Sequence, residues 1–405
     1  MMFRGVRRAI ASLVAISAAA MSTAASSGDM PGVTPTEIRI GGIFPFSGPA
    51  SSIGQVGQGV IAYVKSINDR GGVNGRKINY IALDDAYSPP KAFEQARRLV
   101  ESDEIAFMFS QLGTAGNSAV AKYLAGKKVP TIAIVTGASK FGNAKDYPLT
   151  TTGLVSYDTE GKIYARYLTR ALPGARYAIL YQNDDLGRDY VNAFKAVLGA
   201  DFDKRVVTAS YEVTEPTVDS QVVSLKSSGA QALFIAGTPK FAAQAIRRAA
   251  ETGWKATVLI NFPSSSVAGT LRPAGLENSI GVIVGTPNKD PNDQAWENDE
   301  GIKAFRSFFD KYLAGSDITN TSYLTGYQQG MVLEQILKQC GDDLSRDNIA
   351  KQAKSLQNLV LPTALPGVRI NTSANNNQIW TQLQLQRWTG SRWEPFGEIL
   401  DAGSE

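Results

Sequence analysis

Short apolar segments alternate with longer amphipathic segments along the first 150 residues of the chain. The short segments are nearly continuous runs of Val, Ile, Leu and Phe, which is typical of strands buried on both faces. The longer segments repeat apolar residues with the period of a helix. The pattern predicts strands at 38–44, 78–83, 105–109 and 130–135, and helices at 55–70, 90–103 and 118–126. This alternation favours right-handed βαβ units in a parallel sheet with helices on both faces.

The alternation restarts after the sequence Thr-Thr-Thr-Gly at 150–153. A second series of strands is predicted at 176–181, 206–213, 232–236, 257–261 and 280–284, with helices at 159–172, 189–198, 218–228 and 240–252. At 405 residues the chain is long enough for two domains of ordinary size. Two Rossmann-like α/β lobes are the simplest interpretation.

The rest of the chain does not start a third lobe. Helical stripes are predicted at 295–313 and 324–340, and we expect these helices to cover the first lobe, which has few elements of its own. The tract 379–388 alternates strictly between apolar and polar residues, which predicts a strand with one buried face. We expect this strand at the edge of the second lobe.

The predicted order makes the chain cross between the lobes three times, near residues 153, 286 and 362. The first lobe then comprises residues 36–153 and 287–361, and the second comprises residues 154–286 and 362–400. Several crossings form a hinge, because they limit the relative motion of the lobes to opening and closing. Such a motion suits a clamp for a ligand.

The N-terminus has the features of a secretory signal peptide at residues 1–25. Arg4, Arg7 and Arg8 precede an apolar run at 9–20, and small residues follow it. A transmembrane anchor is the structural alternative, but the run is shorter than the ~20 residues that span a bilayer. The Arg pair also permits a twin-arginine signal, although such pairs are common in ordinary leaders. We therefore expect an exported, periplasmic protein.

Composition excludes several kinds of chemistry. The chain has no histidine, and Cys340 is its single cysteine. Ser-His-Asp and Cys-His nucleophiles, imidazole metal sites and an intramolecular disulfide are therefore absent. Removing the three N-terminal arginines lowers the formal charge from +4 to +1, so we expect no nucleic-acid or membrane-surface partner. We expect neither enzymatic activity nor a cofactor or metal.

The first predicted βα unit has a distinctive sequence. The segment 71–78 reads Gly-Gly-Val-Asn-Gly-Arg-Lys-Ile and leads through a strand into Asp-Asp-Ala-Tyr-Ser-Pro at 84–89, and Ser-Gly-Pro at 47–49 follows the strand before it. This order resembles periplasmic solute-binding proteins of the branched-chain amino-acid type, from about residue 37 to about residue 393. The resemblance implies a type I periplasmic binding fold whose two lobes close on a small molecule. It also implies a monomer that delivers the molecule to the permease subunits of an ABC importer at the inner membrane.

The same resemblance implies that the loops after the third and fourth strands hold a ligand carboxylate. A carboxylate at this position gains charge-assisted hydrogen bonds and faces the positive end of the next helix. The loops supply the candidate ligand residues Gln111, Leu112 and Thr114, and Thr136, Gly137 and Ala138. The alternative is ordinary turn chemistry after a strand.

The second lobe supplies Leu186, Thr238, Phe262 and Ser265 as candidates. Amino-acid binders of the family present an acidic residue to the ligand's ammonium near this last segment, but no acid occurs from 254 to 276. A buried ammonium without a counter-charge costs several kcal/mol. We therefore expect an organic carboxylate without an α-amino group. If Asp158 or Asp185 binds the ammonium from another loop, a branched-chain amino acid remains a possible ligand.

Aromatic residues near the expected mouth of the cleft would suit a planar ring, as in hydroxycinnamate or benzoate. The candidates are Phe44, Tyr87, Tyr157, Phe262 and Tyr323. Each of them is alternatively a core residue. The family often links the loops at Tyr87 and Gly113 by a disulfide, and both cysteines are missing here, so packing would replace that link.

Two other classes of function compete with ligand capture for transport. Gly54, Gly57 and Gly59 resemble the glycines of a phosphate-binding loop, but their spacing differs from Gly-x-Gly-x-x-Gly. Asp84 and Asp85 are adjacent in a strand and point to opposite faces, which favours caps or contacts over a catalytic pair. A ligand-sensing protein that feeds a sensor kinase shares the fold and remains an alternative.

Overall fold

A computed structural model describes residues 30–401, so the predicted signal peptide lies outside the described residues. The first sheet has five parallel strands in the order β2-β1-β3-β4-β5. They are β1 (Glu37–Phe44), β2 (Lys77–Asp84), β3 (Phe107–Phe109), β4 (Thr131–Ile134) and β5 (Thr150–Thr152). The connecting helices are α1 (Ser51–Asp69), α2 (Pro89–Glu101) and α3 (Thr114–Gly126). This arrangement is the predicted βαβ order with one additional short strand, β5.

The second sheet has seven strands in the order β12-β11-β10-β9-β8-β6-β7. Its parallel part contains β6 (Tyr177–Gln182), β7 (Val206–Tyr211), β8 (Ala232–Ala236), β9 (Thr257–Ile260) and β10 (Ile283–Thr286). Its helices are α4 (Tyr157–Ala171), α5 (Asp185–Leu198), α6 (Phe202–Arg205), α7 (Asp219–Ser227), α8 (Pro239–Glu251) and α9 (Arg272–Ala274). Two α/β lobes are therefore confirmed.

An antiparallel pair completes the second sheet. β11 (Gln382–Trp388) pairs with β10, and β12 (Trp393–Asp401) pairs with β11. The prediction that the first of these strands lies at the edge is wrong, because β12 occupies that place. Pro395 cannot donate a ladder hydrogen bond, which suits the outermost strand of a sheet and also hides this strand from pattern reading.

The last helices pack on the first lobe, around α1. They are α10 (Glu300–Tyr312), α11 (Ser322–Cys340) and α12 (Arg346–Ala353). A Cβ on Gly59 would lie 2.7 Å from the Tyr323 carbonyl oxygen, and a Cβ on Gly54 would lie 2.1 Å from that of Pro45. The glycines of α1 thus permit close packing within the lobe, which accounts for them without a phosphate-binding loop.

Single turns of other helix types connect several elements. Ser139–Gly142, Gly199–Asp201, Phe262–Ser264 and Gln294–Trp296 are 3₁₀ turns, and Val267–Leu271 is a π-helical turn. Within residues 30–401, no helix is both long enough and apolar enough to span a membrane.

The passages between the two sheets are tied to one another by backbone hydrogen bonds. The Leu365 N–H donates to the Pro287 carbonyl at 2.9 Å, and the Lys289 N–H donates to the Thr363 carbonyl at 3.0 Å. The Thr152 N–H donates to the Asn377 carbonyl at 2.8 Å, so residues close to β11 also extend the first sheet. These connections lie side by side, as a hinge requires.

Candidate ligand-binding site between the lobes

A cavity lies between the two sheets, at the carboxyl ends of their strands. This is the place where open α/β sheets bind ligands. Eight of the fourteen candidate residues line it: Tyr87, Leu112, Thr114, Tyr157, Leu186, Thr238, Phe262 and Ser265. The two lobes both contribute to this set, so the cavity is complete only when they are together.

Two threonine hydroxyls form the polar centre of the first-lobe wall. Thr114 Oγ1 lies 2.8 Å from Thr136 Oγ1, and both side chains are fully buried. Thr136 Oγ1 also accepts from the Ala138 N–H at 3.1 Å. Because the pair carries two protons and uses one between its members, one O–H donor remains. Thr114 and Tyr157 line the cavity and Thr136 does not. The Tyr157 hydroxyl is also hydrogen-bonded to the threonines, so a chain of two hydrogen bonds among the three hydroxyls leaves one O–H for a group in the cavity.

The N-terminus of α3 lies beside these hydroxyls. Its N-cap residue is Gly113, with φ 107°, and no side chain bonds to the first-turn N–H groups. A helix N-terminus in this state attracts a negative group. A Cβ on Gly113 would lie 3.0 Å from the ring of Tyr87, so this ring packs against the loop at the two positions where the family often has a disulfide.

Tyr157, the first residue of α4, adds a third hydroxyl. Burial raises the pKa of Tyr157, and hydrogen bonds from the Gly137 backbone and from Thr136 and Thr114 oppose this effect. A Cβ on Gly137 would lie 2.3 Å from the Val155 carbonyl oxygen, so glycine permits the loop to approach α4. Thr136, Gly137 and Ala138 therefore support the cavity wall from behind and do not line it.

Thr238 is the main polar group on the second-lobe wall. It is the N-cap residue of α8, but its hydroxyl does not cap the helix and Pro239 follows it. Thr238 is fully buried, and Oγ1 has no hydrogen-bond partner among the described residues. An unpaired buried hydroxyl costs about 1–3 kcal/mol. A ligand group in the cavity would satisfy it.

Three of the remaining candidates lie outside the cavity lining. Phe44 is a core residue whose ring centre is 5.5 Å from that of Phe46. The Tyr323 hydroxyl donates to Gln55 Oε1 at 2.8 Å and links α11 to α1. Gln111 is a fully buried residue of the loop after β3, and its side-chain amide has no partner among the described residues. Two of the five aromatic candidates, Phe44 and Tyr323, thus belong to the packing of the first lobe, and the other three line the cavity.

The two acids considered as amine partners are paired with cations. Asp158 binds Lys162 at 2.8 Å, and Asp185 binds Lys140 at 2.7 Å and Arg188 at 3.0 Å. The Lys140 ammonium lowers the pKa of Asp185 below its usual value. In this arrangement both carboxylates are ion-paired and neither lines the cavity.

Asp184 is an acid near the cavity that the sequence reasoning did not select. Its Oδ1 accepts from the Leu186 N–H at 3.0 Å, and its Oδ2 accepts from Gln182 Nε2 at 2.7 Å. Burial raises the pKa of Asp184. Its negative charge in turn contributes to the raised pKa values of Tyr87 and Tyr157, which line the cavity. Its position at the end of a strand and at the start of α5 is the feature of the sequence that could have indicated it.

Further lining residues were not among the candidates, although Val135 and Pro263 lie in two of the predicted ligand loops. Thr321, Ser322 and Thr325 lie at the start of α11, and apolar contacts come from Ile53, Val56, Val135, Leu154 and Pro263. The run Thr-Asn-Thr-Ser at 319–322 is the only sequence signal for the first group. None of the lining residues in the described part of the chain carries a charge.

Contacts between the lobes flank the cavity on two sides. On one side the Ser139 N–H and hydroxyl donate to Asp189 at 2.7 and 2.9 Å, next to the ion pair between Lys140 and Asp185. On the other side Arg272 binds Asp317 at 2.6 Å. The structure therefore has the lobes closed around the cavity.

Comparison with known proteins agrees with this architecture. The family model described as periplasmic binding protein matches residues 37–392. The chain belongs to this family of periplasmic binding proteins, whose type I fold the two lobes reproduce.

Relatives among characterised sequences are distant. An "Amino acid binding protein" of Pseudomonas aeruginosa is 25% identical over 54% of this chain and 58% of that protein. A "Leu/Ile/Val-binding protein homolog 7" of Brucella abortus is 25% identical over 61% of this chain and 62% of that protein. The aligned stretches therefore span less than two thirds of these two relatives.

Solved structures share the fold over nearly the whole described chain. A branched-chain amino acid ABC transporter protein of Thermus thermophilus with bound valine has a TM-score of 0.80 at 16% identity, covering 92% of this chain and 98% of that one. A fatty acid ABC transporter substrate-binding protein of Thermomonospora curvata has a TM-score of 0.74 at 20% identity, covering 92% and 94%.

Proposed function

We propose that the protein is the periplasmic solute-binding component of an ABC importer and that it captures a small hydrophobic amino acid, with leucine, isoleucine and valine as the first candidates. The lobes close on the ligand without chemical change, and the closed form delivers it to permease subunits in the inner membrane. The observation that carries the proposal is a cavity between the two lobes, with hydroxyl groups and the N-terminus of α3 on one side, which we call the anion-binding wall, and apolar walls around it.

The anion-binding wall suits the carboxylate of an amino acid. The Thr114 hydroxyl, the Tyr157 hydroxyl and the N–H groups of the first turn of α3 provide donors on one side. Hydrogen bonds to a charged group contribute about 1.5–3 kcal/mol each. The absence of a competing carboxylate among the lining residues leaves these donors to the ligand.

The apolar walls suit an aliphatic side chain. Ile53, Val56, Leu112, Leu154 and Leu186 contribute branched side chains to the lining. Burying a leucine-sized side chain contributes about 1.5–3 kcal/mol. The relatives named for amino acids and the valine-bound structural neighbour support this choice of ligand.

A carboxylate without an amino group, such as hydroxycinnamate or benzoate, is the second candidate. It is favoured by one observation, that no Asp or Glu of the described chain lines the cavity to receive an ammonium. Asp184 lies behind the lining, and its oxygens already accept hydrogen bonds from Leu186 and Gln182. The two candidates thus differ in one group, the ammonium.

A matched pair of ligands separates them. L-leucine and 4-methylpentanoate share the carboxylate and the branched chain, and only leucine carries the ammonium. Calorimetric titration of the purified mature protein would compare this pair with isoleucine, valine, benzoate and 4-hydroxycinnamate. A thermal-shift series adds a second readout, because a ligand at 100 times its Kd stabilises the folded state by about 2.7 kcal/mol.

The proposal predicts that leucine, isoleucine or valine binds at least tenfold more tightly than 4-methylpentanoate. Tighter binding of 4-methylpentanoate or of an aromatic acid would replace the first candidate by the second. Failure of every compound to bind, or conversion of any of them into a product, would refute capture of a small organic acid.

A further inference from the structure

A buried carboxylate lies directly behind the second-lobe wall of the cavity. Glu160 is in α4 and is 1% exposed. Its Oε1 accepts from the Tyr164 hydroxyl at 2.6 Å and from the Phe262 N–H at 2.7 Å, and its Oε2 accepts from the Tyr190 hydroxyl. Within the described chain, no Lys or Arg forms an ion pair with it. A buried acid without a cation is costly, so its retention needs a reason.

The hydrogen bonds connect this carboxylate to the cavity. Phe262 lines the cavity and packs against the apolar cluster of the first lobe that contains Leu112 and Val135. Its backbone N–H is the group that Glu160 holds. Glu160 and Phe262 both belong to the second sheet's lobe, so this bond does not depend on closure. The carboxylate therefore fixes the part of the wall that meets the other lobe.

The same network reaches the hinge. The Tyr164 hydroxyl accepts from the Gly285 N–H at 2.7 Å, and it lies 3.0 Å from the Ile260 carbonyl. Gly285 is in β10, and Ile260 ends β9 just before the cavity-lining turn. Tyr164 has a single proton, so it donates either to Glu160 or to the Ile260 carbonyl. The protonation state of Glu160 decides which of the two oxygens accepts this proton.

We propose that Glu160 is a positioning residue for ligand binding: its carboxylate holds the turn at 262–265 in the binding position and, through Tyr164, ties this turn to β10 at the hinge. This inference rests on the proposed function only in taking the cavity as the ligand site. An ionised Glu160 accepts from Tyr164, Tyr190 and Phe262 together. A protonated Glu160 donates to Tyr164, which then donates to Ile260, and Phe262 is left with a neutral and weaker acceptor.

The groups that face Glu160 make this exchange accessible near neutral pH. They are Tyr164 from α4, Tyr190 from α5 and the Phe262 N–H after β9. Burial raises the pKa of Glu160 to about 7, and the hydrogen bonds from these three groups oppose the rise. Ligand affinity is therefore expected to decrease as the pH falls from 8 to 6, because a charged acceptor is replaced by a neutral one.

The test compares the wild type with Glu160→Gln, which keeps the shape and removes the charge. Glu277→Gln, an exposed change in the same lobe, is the matched control. Calorimetric titration between pH 6 and 8 would use L-leucine and 4-hydroxycinnamate as probes. Hydrogen–deuterium exchange of the peptide covering 259–266 in the ligand-free proteins would report on the turn without any ligand.

The wild type and Glu277→Gln are expected to lose about fivefold in affinity from pH 8 to pH 6, as a charge-assisted bond becomes a neutral one. Glu160→Gln is expected to bind at all pH values about as weakly as the wild type at pH 6. Asp184, whose pKa burial also raises, is present in all three proteins, so the difference in slope isolates Glu160.

At pH 8 the peptide 259–266 is expected to exchange several times faster in Glu160→Gln than in the other two proteins. An unchanged pH slope in Glu160→Gln, or unchanged exchange of this peptide, would overturn the proposal. If neither probe binds the wild type, the proposed ligands are wrong, and the exchange measurement alone decides the role of Glu160.

Discussion

Replacement of Thr114 by valine tests the anion-binding wall most directly. Valine has nearly the same shape as threonine and lacks the hydroxyl. Thr114 lines the cavity, its Oγ1 is 2.8 Å from Thr136 Oγ1, and the residue is 1% exposed. The change therefore removes the donor offered to a ligand carboxylate and leaves the backbone and the volume in place.

The magnitude follows from the charge of the acceptor. A hydrogen bond to a charged group contributes about 1.5–3 kcal/mol, which corresponds to a Kd higher by a factor of about 10 to 150. The change also removes a hydrogen-bond partner of Thr136, so unfolding should become easier by about 1–3 kcal/mol. Thr136 keeps the Ala138 N–H as a donor, which favours the lower end of that range.

The assay is calorimetric titration with the ligand selected above, together with urea unfolding of the ligand-free variants. Thr114→Ser keeps the hydroxyl and should bind within about threefold of the wild type. Thr136→Val breaks the same pair but does not remove a lining group, so it should lose stability like Thr114→Val and lose less affinity. Equal affinity of wild type and Thr114→Val would refute the role of this hydroxyl.

Three further changes test other parts of the structure. Gly113→Ala places a Cβ 3.0 Å from the Tyr87 ring at φ 107°. Urea unfolding should therefore show a free energy of unfolding lower by about 1–3 kcal/mol, and calorimetric titration should show weaker binding of a carboxylate ligand. Arg272→Ala removes the exposed ion pair with Asp317, so a ligand titration should show a Kd raised by less than about fivefold. The same increase in Kd should appear in the wild type at 0.5 M salt, because salt screens the pair. Glu160→Gln should become more stable than the wild type by up to about 3 kcal/mol as the pH rises from 5 to 8. The reason is that a carboxyl with a folded-state pKa of about 7 lowers the free energy of unfolding once the pH exceeds its pKa in the unfolded chain. A difference in urea stability between the two proteins that is the same at pH 5 and pH 8 would contradict this.

The parallel core of both sheets was predictable because its strands are continuous apolar runs. β5 was not, since Thr150–Thr152 has no apolar residue. Its place is fixed by tertiary hydrogen bonds, such as the one from the Ala133 N–H to Thr151 Oγ1 at 2.9 Å. The antiparallel strand β12 was missed for a similar reason, because Pro395 and Gly397 interrupt its pattern.

The lining of the candidate site was predictable where it follows from topology. Residues after β3, β4, β8 and β9 reach the cavity because parallel strands end at one edge. The contribution of Thr321, Ser322 and Thr325 was not predictable, because it depends on how closely α11 packs on α1 at Gly59 and Gly326. The distance between these two helices cannot be read from the local sequence.

The exposed ion pairs between the lobes are too weak to hold the protein closed by themselves. Lys140 and Asp185 are 36% and 37% exposed, and Arg272 and Asp317 are 53% and 46% exposed. Exposed pairs contribute about 0–1 kcal/mol each and are screened by salt. Moving an equilibrium from mostly open to mostly closed requires several kcal/mol of differential affinity. Because the exposed pairs supply little of this, the rest must come from the part-buried hydrogen bonds from Ser139 to Asp189 and from the ligand, through groups that meet only on closure, such as Thr114 on one wall and Thr238 on the other.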